Sequence, residues 1–129
     1  MNKKPPTVFK DCRGEIRKIK FHGVEVNLVF TKAGALRGGD EHPTQQNDLV
    51  LQGKVAIHER LNSVAMGWKT FRHEVVQGQD AWTIGTGTPH LFESVTDSVV
   101  LEWWNGPFEA KYYRPYRKLV EKWIKEHSR

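Results

Sequence analysis

From about Glu15 to Leu101 apolar and polar residues alternate in short runs: EIRKIKF, VEVNLVF, DLVLQGKVAIHER, WKTFRHEVV, AWTIG and SVVLEWW. A period of two sends successive side chains to opposite faces of an extended chain, so each run predicts a β-strand. Gly34, Gly38-Gly39, Gly53, Gly67, Gly78, Gly85 and Gly87 fall between the runs or at their ends, where turns and bulges need them. Many short strands at regular spacing predict an all-β barrel or sandwich. After Pro115 the period changes. Tyr116, Leu119, Val120, Trp123 and Ile124 recur at helical spacing behind a proline suited to a first turn, which predicts an amphipathic helix over about 115–127.

At 129 residues the chain can bury one core without staples, so a single domain over 1–129 is expected, with 1–6 (two lysines, then Pro5-Pro6) as a loose leader. Cys12 is the only cysteine, which excludes an internal disulfide and fits a cytoplasmic address; no basic or histidine motif around it signals a nucleophile. Neither a signal peptide nor a run of roughly eighteen apolar residues is present, so a soluble protein without a membrane span is expected. The net charge of +5 resides in residues 111–129, which hold seven basic and two acidic side chains. A nucleic-acid binder spreads its cations over a docking face, so that partner class is not expected. The basic residues Arg117, Lys118, Lys122 and Lys125 lie largely off the apolar stripe, as a solvated face or as a docking surface for an acidic partner or an anionic membrane.

Candidate chemistry concentrates in ALRGGDEHPTQQNDLVLQGKV, residues 35–55. On a strand Asp40 and His42 present a carboxylate and an imidazole to one face while Glu41 points to the other. Gln46 follows beyond Pro43. A second segment, Gly78 to Glu93, leads through Gly85, Gly87 and Pro89 to His90, a tight loop able to fix one side chain.

These residues resemble the cupins. Gly34, five residues, Asp40-Glu41-His42, three residues, Gln46, six residues and Gly53 repeat the spacing of the first cupin motif. Gly78-Gln79, Gly85, Gly87 and Pro89-His90 are similar to the second, with one extra residue before the histidine. The likeness spans Gly34 to Ser94 and, with flanking strands, everything but the leader and the terminal helix. It implies an all-β cupin barrel (a double-stranded β-helix, or jelly roll) with a C-terminal amphipathic α-helix and a metal or ligand in its mouth. Most metal cupins use three histidines and a glutamate; here Asp40 replaces one histidine and Gln46 the glutamate, while His42 and His90 are kept.

Three readings follow. Asp40, His42 and His90 hold a divalent metal (Fe, Mn, Ni or Zn), with Gln46 a fourth ligand or a hydrogen-bonding neighbour. Alternatively the site is metal-free, and His42 and Asp40 act as a base and its orienting partner. In the third, the pair sits in an exposed turn without a task. LRGGDEHPTQQ is also similar to the RG-x-H-x-H stretch of the metal-free cupin sugar-nucleotide ketoisomerases, a resemblance that implies catalytic roles for Arg37, His42 and Asp40 on a sugar-related ligand. A small-molecule ligand is expected on each functional reading, with a non-catalytic sensor or docking module as a further alternative.

Alternation places Val99, Leu101 and Trp103 on one face of their strand and Val100, Glu102 and Trp104 on the other. Glu102, if buried, needs a partner, for which Arg37 or Arg72 is a candidate. Trp103, Trp104, Phe108, Tyr112, Tyr113 and Tyr116 supply core and homodimer surface, or an aromatic wall for a ring-shaped ligand. His22, His58 and His73 lack motif spacing and are read as turn or strand residues. No nucleophile elbow, phosphate loop or dinucleotide fingerprint is present.

Overall fold

The alternating runs become strands, and the structure, a computed structural model, describes residues 8–128. The leader expected over 1–6 lies outside the described residues. In chain order the strands are β1 (Val8–Asp11), β2 (Gly14–Phe21), β3 (Val24–Thr31), β4 (Leu36–Glu41), β5 (Gln46–Gln52), β6 (Lys54–Ser63), β7 (Gly67–Val76), β8 (Trp82–Ile84), β9 (His90–Ser94), β10 (Ser98–Trp104) and β11 (Lys111–Tyr112), followed by the helix α1 (Arg114–His127). They form two antiparallel sheets, β1-β2-β3-β10-β5-β8 and β11-β4-β9-β6-β7, in a jelly-roll arrangement. Among the described residues no helix is long and apolar enough to cross a membrane.

Strand register turns the alternation into layers across the six-stranded sheet. Ile16, Val29, Val100 and Val50 are cross-strand neighbours and form an apolar row. Val29, Val50 and Val100 join Val55, Ile57, Val75 and Ile84 in the buried core. Two residues along each strand the row becomes Lys18, Asn27, Glu102 and Asp48, which is wholly polar. The next pairs Lys20 with Glu25 and Trp104 with Gln46. The barrel is thus filled by hydrocarbon at one end and lined by polar groups toward the other, which is what a binding mouth requires. The expected faces of β10 are observed, with Val100, Glu102 and Trp104 directed inward.

On β4 the pairing with β9 slips: Arg37 faces Phe92, Gly38 faces Leu91, and Asp40 faces His90, leaving Gly39 as an extra residue. Gly38 and Gly39 have φ of 86° and 80°, values that a side chain resists. This bulge lets Arg37 and Asp40, three residues apart, line the same cavity.

The helix α1 lies over the bulge. The Tyr113 amide donates to the Gly39 carbonyl at 2.9 Å and Arg117 Nη1 to the Gly38 carbonyl at 3.0 Å. Helix and bulge approach so closely that a Cβ on Gly39 would come within 2.7 Å of the Arg117 Cα. Val120 is fully buried, whereas Leu119, expected on the packed stripe, is 47% exposed. Arg117 takes the opposite course and sits on the packed side: its long stem covers apolar surface while its guanidinium serves β4 and lies 4.5 Å from the Tyr112 ring centroid.

Candidate metal centre and ligand pocket

Asp40, His42 and His90 meet at the mouth of the barrel. Asp40 Oδ1 is 3.4 Å from His42 Nε2 and 3.2 Å from His90 Nε2, and the three donor atoms lie within 4.8 Å of one another. Each ring is oriented from behind. His42 Nδ1 donates to the Glu109 carbonyl at 2.8 Å, and His90 Nδ1 to the Thr88 carbonyl at 2.9 Å. A carbonyl only accepts, so Nδ1 of each ring carries a proton, and in the neutral form of the ring the lone pair is on Nε2, the nitrogen beside Asp40. This is the tautomer that a metal ligand needs.

The supports come from three elements. The Gly87 amide donates to the His42 carbonyl at 2.8 Å, which ties the loop before His90 to the end of β4. Pairing of β11 with β4 places Tyr112 opposite Asp40 and Lys111 opposite Glu41. Trp104 and Phe108 pack on the His42 ring at centroid distances of 5.4 and 5.3 Å. His42 and His90 are 5% and 1% exposed.

Gln46 sits beside this group, with Nε2 donating to Asp48 Oδ2 at 3.0 Å and to Glu102 Oε2 at 3.1 Å. With the amide nitrogen on both carboxyls, Oε1 is buried without a hydrogen-bond partner among the described residues. The Asp40 carboxylate and the two imidazole nitrogens, within 4.8 Å of one another, fit a divalent cation, and the unpartnered Gln46 amide oxygen belongs to a residue lining the same cavity.

Deeper in the barrel, burial first and the neighbouring Glu102 second push the Asp48 carboxyl well above its usual range. The Glu59 carboxylate accepts from the Trp82 indole at 2.8 Å. Arg37 is buried and donates through Nε to Thr31 Oγ1 at 2.7 Å and through Nη2 to the Phe30 carbonyl at 3.1 Å. Burial pulls its pKa down to about 10, which leaves it charged at neutral pH. Glu102 therefore finds its hydrogen-bond partner in Gln46. Neither expected arginine bonds it: Arg37 holds strand β3, and Arg72 donates to Glu74 on the outside. A cavity of about 250 Å³ joins Arg37, Asp40, His42, Gln46, His90 and Glu102.

No family model matches the sequence, and no curated protein matches it. Solved structures do. CapF from Staphylococcus aureus, described as a capsular polysaccharide assembling protein, is 26% identical with a TM-score of 0.66 over 83% of this chain and 30% of its own. CapF with the inhibitor 3-isopropenyl-tropolone matches at 22% identity and a TM-score of 0.68, covering 85% of this chain and 34% of that one. Oxalate decarboxylase from Bacillus subtilis matches at 17% identity and a TM-score of 0.67, covering 83% and 30%. The chain has the cupin fold. It spans about a third of the length of these structures.

Within the cupin barrel all five sequence-selected residues, Arg37, Asp40, His42, Gln46 and His90, line one cavity. His58 and His73 lie elsewhere, beside Glu93 at 3.3 Å and against the Trp82 ring at 4.3 Å, and His22 occupies the β2–β3 turn with φ 50°. Cys12 Sγ lies 3.3 Å from Ser128 Oγ, under the end of α1. Asp48, Lys18 and Asn27 were not selected from sequence. Asp48 was the findable one, because it stands two residues after Gln46 on the same strand face.

Proposed function

We propose that this cupin binds a divalent metal through Asp40, His42 and His90, with the Gln46 amide oxygen as fourth donor, and acts on a small polar ligand in the adjoining cavity. The observation that carries the reading is the paired anchoring of His42 and His90 at Nδ1, which directs both Nε2 lone pairs at Asp40. Fe, Mn, Ni and Zn all accept such a mixed nitrogen and oxygen set. When bound, such an ion polarises a coordinated oxygen and makes a coordinated water more acidic. The chain's own contribution is to fix the ligand set, exclude water with Trp104 and Phe108, and place Arg37 and Glu102 along the ligand's path.

The deciding experiment is elemental analysis of protein purified without a metal-affinity tag, alongside His42→Ala and His90→Ala. Near-stoichiometric metal that disappears in both variants is the expected result. Wild-type protein that stays metal-free after incubation with each ion sinks the assignment.

A second reading takes support from the 3.4 Å approach of His42 to Asp40 and from the likeness to CapF. In it His42 is a base oriented by Asp40, Arg37 lines the site, and the substrate is a sugar nucleotide. Turnover of a 4-keto sugar nucleotide by chelator-treated protein would establish it, and inactivity across a panel would remove it. A homodimer is also part of the proposal, because Trp68 and Phe71 on edge strand β7 are 56% and 39% exposed. Sedimentation equilibrium of the parent and of Trp68→Ser tests that point.

A further inference from the structure

The cavity beside Asp40, His42 and His90 does not stand alone. A second, of about 230 Å³, lies beyond it and shares Lys18, Asn27, Trp104 and Phe108 with the first. Its far side is formed by the β2 and β3 strands, where Lys20 faces Glu25. Trp104 and Phe108 meet edge to face at a centroid distance of 4.7 Å and give both chambers a shared aromatic wall.

Charge is distributed unevenly along this path. Of the cations on the first chamber, Arg13 is held by the Asp11 carboxylate, Arg37 by Thr31 and the Phe30 carbonyl, and Arg117 by the Gly38 carbonyl. Lys18 differs: its ammonium lies 5.7 Å from the Phe9 ring centroid and makes no ion pair among the described residues. Lys20, next along the same strand face, likewise has no ion pair. Two exposed ammonium groups against the single carboxylate of Glu25 leave the second chamber net positive.

We propose that the second chamber seats the anionic end group, a phosphate or a carboxylate, of an elongated ligand, held by Lys18 and Lys20. The middle of that ligand lies on the Trp104–Phe108 wall and its other end reaches Asp40, His42 and His90. Ammonium groups recognise either anion as point charges, and an aromatic wall accepts a flat or ring-shaped spacer. The direction of the ligand rests on the metal reading above, whereas the anion seat stands without it.

The test uses phenyl phosphate, phenylacetate and uncharged benzyl alcohol as probes, titrated calorimetrically into wild-type protein and into Lys18→Gln/Lys20→Gln. Lys118→Gln/Lys125→Gln, with the same charge removed from the exposed face of α1, is the control. The expected result is that at least one anion binds the wild type and the control alike and binds the β2 variant about tenfold more weakly, with metal content unchanged in all three. The preferred anion names the natural end group. Unaltered affinity in the β2 variant, an equal loss in the control, equal binding of benzyl alcohol, or no anion binding at all overturns the seat. Metal-free protein that still loses phenyl phosphate in the β2 variant alone refutes the metal reading and leaves the seat standing.

Discussion

Asp48 and Glu102 face each other across β5 and β10, and the amide nitrogen of Gln46 lies 3.0 Å from a carboxyl oxygen of one and 3.1 Å from the other. Asp48 is buried and Glu102 half-buried, and burial together with the neighbouring Glu102 raises the Asp48 carboxyl, so that it holds its proton to higher pH than a free aspartate does. The consequence for stability has a definite sign. Below the ordinary value of 3.8 the folded and unfolded chains both hold this proton. As the pH rises the unfolded chain releases it first, so the folded state binds more protons and stability falls until the raised pKa is passed. Asparagine copies the protonated acid, accepting from Gln46 and donating to Glu102. Asp48→Asn is therefore expected to be as stable as the parent at pH 4 and more stable at pH 7, on the order of 1 kcal/mol. Urea melts at the two pH values check this, and a variant less stable at pH 7 would contradict it.

Gln46 stands where most metal cupins carry glutamate, and the same geometry explains why restoring the acid is not harmless. A carboxylate has no N–H to offer Asp48 and Glu102, and it would add a third acid to the cluster. Gln46→Glu is expected to cost ~1–3 kcal/mol at neutral pH, with the loss recovered toward pH 4. Addition of the cognate metal should restore part of it, because a ligand that binds only the folded state stabilises that state. Thermal unfolding with and without metal across pH reads all three effects.

Gly39 connects the helix to the cluster of Asp40, His42 and His90. Its φ of 80° and the 2.7 Å that would separate an added Cβ from the Arg117 Cα leave no room for a side chain. Gly39→Ala must either push α1 outward or flatten the bulge that turns Asp40 inward. The expected loss is ~1–3 kcal/mol of stability with weakened metal binding, whereas Gly34→Ala, also at positive φ but in open space, leaves metal affinity unchanged. Denaturant melts paired with metal titration separate the two outcomes.

Strands β2, β3, β6, β7 and β10 were legible because a half-buried strand writes its two faces into alternate residues. Strand β4 was read only around Asp40 and His42, and it ends at Glu41, one residue short of His42; β9 was not legible as a strand. LRGGDE and HLFES carry a bulge and polar inward residues that break the apolar alternation. The candidate residues Asp40, His42 and His90, which the structure brings together, were nonetheless visible through their spacing. What spacing could not reveal was support. The Glu109 and Thr88 carbonyls that orient the two histidines are backbone groups and leave no trace in residue identity. Arg117 was misplaced for a related reason: a helix stripe counts apolar residues, whereas here a guanidinium occupies the packed face to reach the Gly38 carbonyl. Leu119 is displaced to solvent on the same helix.

The backbone origin of that support makes a final contrast testable. Phe108 touches His42 and Trp104 with its side chain, at centroid distances of 5.3 and 4.7 Å, whereas Glu109 holds His42 only through its carbonyl. Removing the Glu109 side chain leaves that carbonyl in place, so Glu109→Ala is expected to bind metal as the parent does. Removing the Phe108 ring frees the imidazole to rotate and admits water beside it. Outer supports of this kind carry about tenfold in metal affinity. Phe108→Ala is expected to lose about that much, with Phe108→Leu intermediate because it refills part of the space. Calorimetric titration of chelator-stripped protein with a single divalent ion measures the series. Equal affinity for Phe108→Ala and parent would show that the carbonyl alone fixes His42, and a loss in Glu109→Ala would show that the acid's charge reaches the centre.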